Sequence, residues 1–293
     1  MSKDIVDVGW DAVAYSGLFI CFNVGLSLVL GLRMELSLIV SSARCLVQLT
    51  VMGYVLGPVL NSSEMWVPLT MSGVFVVLAA YEAVFHQSKL RYRHMFPIVF
   101  VSVAVSTGVV ALLGIGAVMR VKPFYLANQF VPLVGLLLGN SIAGISIGIR
   151  TALMSLAENQ LAVEAYLSMG ASRWEASRPI AIRSIQLGMM PTVNAMSAMG
   201  IISIPGMMTG QILGGADVMV AVRYQIIAMF MVASTTSLAI LMCVSASLLI
   251  CIDNHHRHRD DRIFRSLPWH HCLLHRLARK TKASIIPSSQ SKS

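Results

Sequence analysis

Apolar runs of about 20 residues recur along this 293-residue chain, and each is long enough to cross the hydrocarbon core of a bilayer as a helix. Candidate spans fall at about 12–32, 36–60, 66–85, 95–119, 127–149, 185–206 and 225–252. The chain is therefore expected to be all-α: a polytopic membrane protein with about seven transmembrane helices. Composition agrees, with 56% hydrophobic residues, only 12% charged and a mean hydropathy of +0.73.

The charges that remain are placed for topology. Nine of the 22 Lys and Arg lie after Ile252 and most others flank apolar runs. That distribution suits anionic headgroups of the lipid bilayer and does not make a nucleic-acid footprint, despite the net charge of +9. Basic residues concentrate in residues 86–94 (Lys89, Arg91, Arg93), in residues 150–184 (Arg150, Arg173, Arg178, Arg183) and in the tail. With seven spans these three segments share one side, so the positive-inside rule puts the C-terminus in the cytoplasm and the N-terminus outside. The first residues carry Asp4, Asp7 and Asp11 against Lys3, the wrong charge for a signal peptide, and the first span is expected to be retained. Cys21, Cys45, Cys243, Cys251 and Cys272 show no framework spacing, and all but the last read as packing residues.

Between the fifth and sixth runs lies a charged, helix-prone stretch, EAYLSMGASRWEASRPI, from Glu164 to Ile180. Glu164 and Ala165 open a short helix that Gly170 can end, because glycine takes positive φ cheaply. Ser172 and Glu175 then have capping-box spacing, so a second helix can begin at once with Arg173 in its first turn. Helix, tight turn and helix form a knuckle on the aqueous side. The pattern resembles the EAA loop of ABC-transporter permeases, the coupling element that docks into a partner ATPase. Tyr166 stands where that loop has its second alanine, and Arg183 where its downstream proline would be. An amphipathic cytoplasmic linker is the plainer reading of the same residues.

Inside the spans, polar groups are few. Arg44 and Gln48 lie one turn apart in the second run, where a charge must reach the interface or find a partner. Glu82 ends the third. In the fifth run Gly135, Gly139 and Ala143 repeat every four residues, as do Asn140, Gly144 and Gly148. Such stripes let helix backbones approach closely, with Asn140 and Ser141 able to bond across the contact. The sixth region is interrupted by Pro191 and by Pro205-Gly206, which do not sit comfortably in an uninterrupted helix. Breaks at membrane depth point to a pathway. Candidate pathway groups there are Asn194, Ser197, Met207, Met208 and Gln211, with Gln225 from the seventh run. Met189, Met196 and Met199 form a further stripe, read either as adaptable filler or as soft ligands for a cuprous ion.

The tail (253–293) is basic and His-rich and is expected to be cytoplasmic and unstructured. His271 and His275, with His270 and Cys272, have a spacing compatible with a metal, though a headgroup-binding extension explains them more simply. The chain carries no G-x-x-x-x-G-K-[ST] phosphate loop, no H-E-x-x-H and no G-x-S-x-G. An enzyme reading has nothing to stand on.

Five stretches in order, SARCLVQLTVMGYVL (42–56), FVPLVGLLLGNSIAGISI (130–147), the knuckle, PTVNAMSAMGIISIPGMMTGQIL (191–213) and AVRYQIIAMF (221–230), resemble the UPF0014 family of bacterial iron-export permeases and plant aluminium-tolerance membrane proteins. The resemblance covers about residues 10–252, a single transmembrane permease domain whose coupling loop spans about 150–184. It implies a permease subunit, working as a pair, that exports a small cargo such as a metal ion or a nucleotide sugar. ATP would be bound by a separate ATPase subunit and no cofactor by this chain. The membrane would be the plasma or inner membrane, or that of an organelle. The alternative is a partner-independent secondary transporter or channel, which intramembrane ionisable groups would favour; only Arg44, and marginally Glu82, qualify. Neutral oxygens and thioethers in the broken region suit a weakly held cargo, whereas a phosphate-bearing cargo would need Arg44.

This reading fixes a topology. Reporter fusions after Arg93, Leu156 and Ser293 are expected to read inside, and a fusion after Gly215 outside. A tail that reads outside would overturn both the orientation and the cytoplasmic placement of the knuckle.

Overall fold

The computed structural model describes residues 9–62, 64–88, 90–92, 94–120, 126–251 and 263–265. The described residues divide into two compact units, with the boundary at residues 58 and 59 near the end of the second helix. Almost all of the described structure is helical.

In the first unit, α1 (Trp10–Leu30) and α2 (Glu35–Leu60) form a tight hairpin. Gly31 takes the left-handed conformation, φ 63°, and ends α1. The buried Ser27 then fixes the turn: its hydroxyl accepts the Met34 amide at 3.2 Å and donates to Glu35 Oε1 at 3.2 Å. Both helices are apolar around their circumference and bury almost nothing within the chain. A helix of that kind needs an apolar solvent, which here is lipid.

The second unit holds α3 (Trp66–Tyr81), which continues as a π turn over Glu82–Gln87, then β1 (Leu90–Tyr92) and α4 (Met95–Leu112), which continues as a second π turn over Leu113–Val118. It goes on through α5 (Ala127–Glu158), α6 (Gln160–Ser168), α7 (Arg173–Ala198), α8 (Gly206–Leu213) and α9 (Val218–Cys251). Strand β2 (Ile263–Arg265), in the tail expected to be unstructured, pairs antiparallel with β1, Leu90 opposite Arg265 and Tyr92 opposite Ile263. Below that ladder the Tyr92 hydroxyl shares a 3.0 Å hydrogen bond with Ser247 of α9.

Among the described residues, six helices are long and apolar enough to cross a membrane: α1, α2, α3 and α4 with their π turns, α5 and α9. The protein is a multi-pass integral membrane protein. The region expected as a sixth of seven spans (185–206) is divided. Its first part is the apolar half of α7, whose other half carries Arg173, Arg178 and Arg183. The helix runs unbroken through Pro191, where a break was expected, whereas the expected break at Pro205-Gly206 is present as the segment Met199–Pro205 between α7 and α8. Proline removes one N–H, and helices at membrane depth tolerate that loss where neighbours shelter the freed carbonyl.

The core is built on α5, α7 and α9, with α4 and α3 packed around them. The three central helices approach one another at glycines. A Cβ placed on Gly144 would lie 2.8 Å from both Ile240 Cδ1 and Thr236 Cγ2 of α9 and 3.0 Å from the Gly188 carbonyl of α7. One on Gly188 would lie 2.9 Å from the Gly144 carbonyl oxygen, and one on Gly148 3.0 Å from Ile240 Cγ2. Backbone cannot yield as a flexible side-chain end can, so this contact admits only glycine. Small residues are what let helices pack in lipid, where no hydrophobic effect drives them together.

Gly188→Ala is expected to destabilise the bundle by about 1–3 kcal/mol, the usual cost of overpacking, and to lower the melting temperature of the purified chain in detergent. Gly108→Ala on α4, where a Cβ meets nothing within 4 Å, is the control and is expected to melt no lower than the parent.

Candidate functional site

Two places gather the residues with chemistry to offer, and α7 connects them. The first is the elbow between α6 and α7. Helix α6 closes with paired bonds: the Gly170 amide donates to the Leu167 carbonyl and the Ala171 amide to the Tyr166 carbonyl, both at 3.1 Å, with Gly170 at φ 91°. This arrangement satisfies the last carbonyls and requires a left-handed residue. Two residues later Ser172 caps α7. Its hydroxyl receives the Glu175 amide at 3.3 Å, while Glu175 Oε2 accepts the Ser172 amide at 2.8 Å and its hydroxyl at 2.7 Å. The turn is thus locked at both sides by local bonds, as the spacing of Gly170, Ser172 and Glu175 predicts.

Burial divides the elbow into two faces. Val163 and Leu167 of α6 and Ala176 and Ile180 of α7 belong to the core. The outer face carries Leu161, 83% exposed, and Met169, 75% exposed, beside Tyr166 and Trp174. Glu164 and Ala165 are also on that exposed face, the carboxylate receiving the Gln160 amide at 3.1 Å. These large apolar side chains are exposed on a turn that local hydrogen bonds hold in place.

The second place is a half-open cavity of about 660 Å³ between the end of α7, the Met199–Pro205 break, α8 and α9, with Ile204 and Phe230 exposed at its rim. The break turns on Gly200, φ 85°, whose amide donates to the Ser203 carbonyl at 3.1 Å. Helix α8 ends at a left-handed Gly215, and Asp217 caps α9 by accepting the Met219 and Val220 amides. Met196, Met199, Met208 and Met229 line the cavity with Pro205, Ile226 and Phe230. Gln225 projects into it, only 7% exposed. Its Nε2 donates to the Met199 sulfur at 3.9 Å, and its Oε1 has no hydrogen-bond partner.

Of the expected pathway residues, the structure brings Met208 and Gln225 together here. Asn194 and Ser197 are exposed on α7 and off the cavity, the Ser197 hydroxyl bonded to the Val193 carbonyl. Met207 packs against the core, and Gln211 is half-buried on α8. Ser141 is fully buried between α5 and α9, 3.4 Å from the Thr236 hydroxyl. Asn140 is exposed and bonded back to the Leu136 carbonyl. Arg44 (half-buried) and Gln48 (exposed) lie on α2 in the other unit. Met229 was not singled out in the sequence; it stands one turn beyond Gln225 on α9, and only that spacing could have flagged it. His270, His271, Cys272 and His275 lie outside the described residues. Among those described, no group of His, Cys, Asp and Glu could hold a metal.

The family model described as "Uncharacterised protein family (UPF0014)" matches residues 10–251. The chain belongs to the UPF0014 family. It is 27% identical over 259 residues to a UPF0014 membrane protein of Synechocystis, covering 88% of this chain and 98% of that one. It is 29% identical over 213 residues to the probable iron export permease protein FetB of Escherichia coli, covering 72% of this chain and 80% of FetB. Protein ALUMINUM SENSITIVE 3 of Arabidopsis thaliana is 27% identical over 211 residues, covering 71% and 74%. No solved structure matches this UPF0014 chain.

The capping box gives the elbow a pH dependence. The Ser172 hydroxyl, and then its backbone N–H, hold the Glu175 carboxyl below its ordinary value of 4.5. A group depressed in the folded state contributes fully above its unfolded value and loses that contribution as pH falls through the lower folded one. Protection of the first α7 amides against hydrogen exchange, corrected for the intrinsic rate, is therefore expected to hold steady from pH 7 to 5. It should fall only below the ordinary carboxylate range. In Ser172→Ala the protection is low throughout.

Proposed function

We propose that this UPF0014 chain is the membrane-spanning subunit of an ABC-type transporter, exporting a small cargo with energy from ATP hydrolysed on a separate subunit. The observation that carries this reading is the α6–α7 elbow. It is held by Gly170 at φ 91° and the Ser172–Glu175 box, and it turns Leu161, Tyr166, Met169 and Trp174 outward. A fixed turn that leaves large apolar side chains uncovered is more than a linker requires. A docking element needs both. In this reading the apolar half of α7 and the segment after it serve as the sixth of seven spans, which leaves the elbow in the cytoplasm beside the ATPase.

Cargo export is consistent with the name of the Escherichia coli relative, a probable iron export permease. The cavity at the α7 break is the passage we assign to the cargo. Two copies of the chain form the working permease. Gly139, where an added Cβ meets nothing within 4 Å, and the exposed Ala143 and Asn140 leave a small-residue stripe on α5 open for a second copy.

The test is co-purification of an ATPase with a phosphate-binding loop, identified by mass spectrometry, from native membranes. Gly170→Val forces a β-branched residue into the left-handed region at a cost of about 1–2 kcal/mol, and Leu161→Ser with Met169→Ser removes the exposed apolar groups without backbone strain. Both, together with Glu164→Lys, are expected to lower ATPase recovery at least tenfold while insertion and melting of the chain change little. Undiminished recovery in all three would leave the elbow an ordinary linker.

A further inference from the structure

We infer that the cavity at the α7 break is a site for a soft monovalent cation of the cuprous type, held by the thioethers of Met199 and Met208 with Met196 and Met229 around them and by the Gln225 amide oxygen. The inference deepens the transporter reading by naming the class of cargo, and rests on it for the idea that what binds here is moved.

The donor set decides the class. Every polar side-chain donor that lines the cavity among the described residues is neutral: four thioethers, one amide and the Ser203 hydroxyl. Hard divalent ions demand several oxygen ligands, carboxylates foremost, and no carboxylate lines the cavity among the described residues. A phosphate-bearing cargo needs a guanidinium or ammonium, and none lines it there either. Thioethers are ligands that select cuprous ions over hard ones. A singly charged soft ion also sheds its water at lower cost than a divalent one, so neutral donors suffice.

Gln225 is the independent sign that something polar or cationic belongs here. Its side chain is over nine-tenths buried and its Oε1 lacks a partner. Leaving a buried acceptor unmet is costly, and native proteins rarely do so without a reason. The amide N–H already points at the Met199 sulfur, which leaves the oxygen for a ligand. Methionine side chains, with three rotatable bonds, can draw in around an ion within a cavity of this size and release it again. Such adaptability suits a cargo held in passing.

The test uses the full chain in detergent, with cuprous ion as the probe and a chromophoric cuprous chelator as competitor under reducing conditions. Thiols are removed by Cys21→Ser, Cys45→Ser, Cys272→Ser, Cys243→Ala and Cys251→Ala, so that sulfur can come only from methionine. One cuprous ion per chain is expected to be retained against the chelator. Copper-edge X-ray absorption should then show sulfur neighbours, and a hundredfold excess of ferrous ion should not displace the copper. Met199→Leu with Met208→Leu, a volume-conserving change, should weaken retention at least tenfold, and Gln225→Leu severalfold. The same Met pair in the wild-type background should lose one bound ion per chain, so the result does not depend on the cysteine-free protein folding well. No retained ion, nitrogen and oxygen neighbours only, or retention unchanged by the Met and Gln substitutions would overturn the site. ATPase recovery measured on the same preparations separates the two failures. Intact recovery with no cuprous binding defeats this site alone, whereas lost recovery from the parent chain defeats the transporter reading.

Discussion

Everything in the larger unit depends on how closely α5, α7 and α9 approach one another. Their backbones meet where Gly144, Gly148 and Gly188 leave no side chain between them, and Ile240 fills the groove from α9. In lipid the driving force for such contact is packing itself, so the loss of even one methyl's clearance is felt. Once that contact is made, the buried hydroxyls of Ser141 and Thr236 fall between helices and not in a passage. The broken segment after Ala198 is then carried at the end of a helix whose middle is fixed.

Helix α7 joins the elbow to the cavity. Its 26 residues span about 39 Å. At one end Ser172 and Glu175 fix it to the elbow; at the other Met196 and Met199 form a wall of the cavity. Pro191 lies between these ends without breaking the helix. Among the described residues, the side chains that line the cavity are neutral and rich in sulfur.

The elbow was legible in the sequence because its rules are local. Gly170 ends a helix and Ser172 with Glu175 begins one, whatever the rest of the chain does. The long spans were legible for a similar reason, since length and apolarity alone define them. Three things were not. Pro191 and Pro205-Gly206 both read as breaks, yet the helix continues through Pro191 and yields only at Met199–Pro205, a difference that the proline residues themselves do not encode. Adjacent residues such as Asn140 and Ser141 look equivalent on paper, but one residue along a helix rotates the side chain by about 100°, and only the packing says that Ser141 faces α9. The cavity joins Met196 and Met199 to Met208, Gln225 and Met229 across three helices, a long-range meeting that no spacing in the chain encodes.

The central claim is that an ATPase drives this chain from outside the membrane, through the elbow. It is tested most directly by cargo movement in sealed vesicles reconstituted with the purified chain alone or with its ATPase, with ferrous and cuprous ions as separate probes. Movement of at least one probe is expected only when ATPase and ATP are both present, and none under an ion gradient alone. Gradient-driven movement by the chain without an ATPase would contradict it.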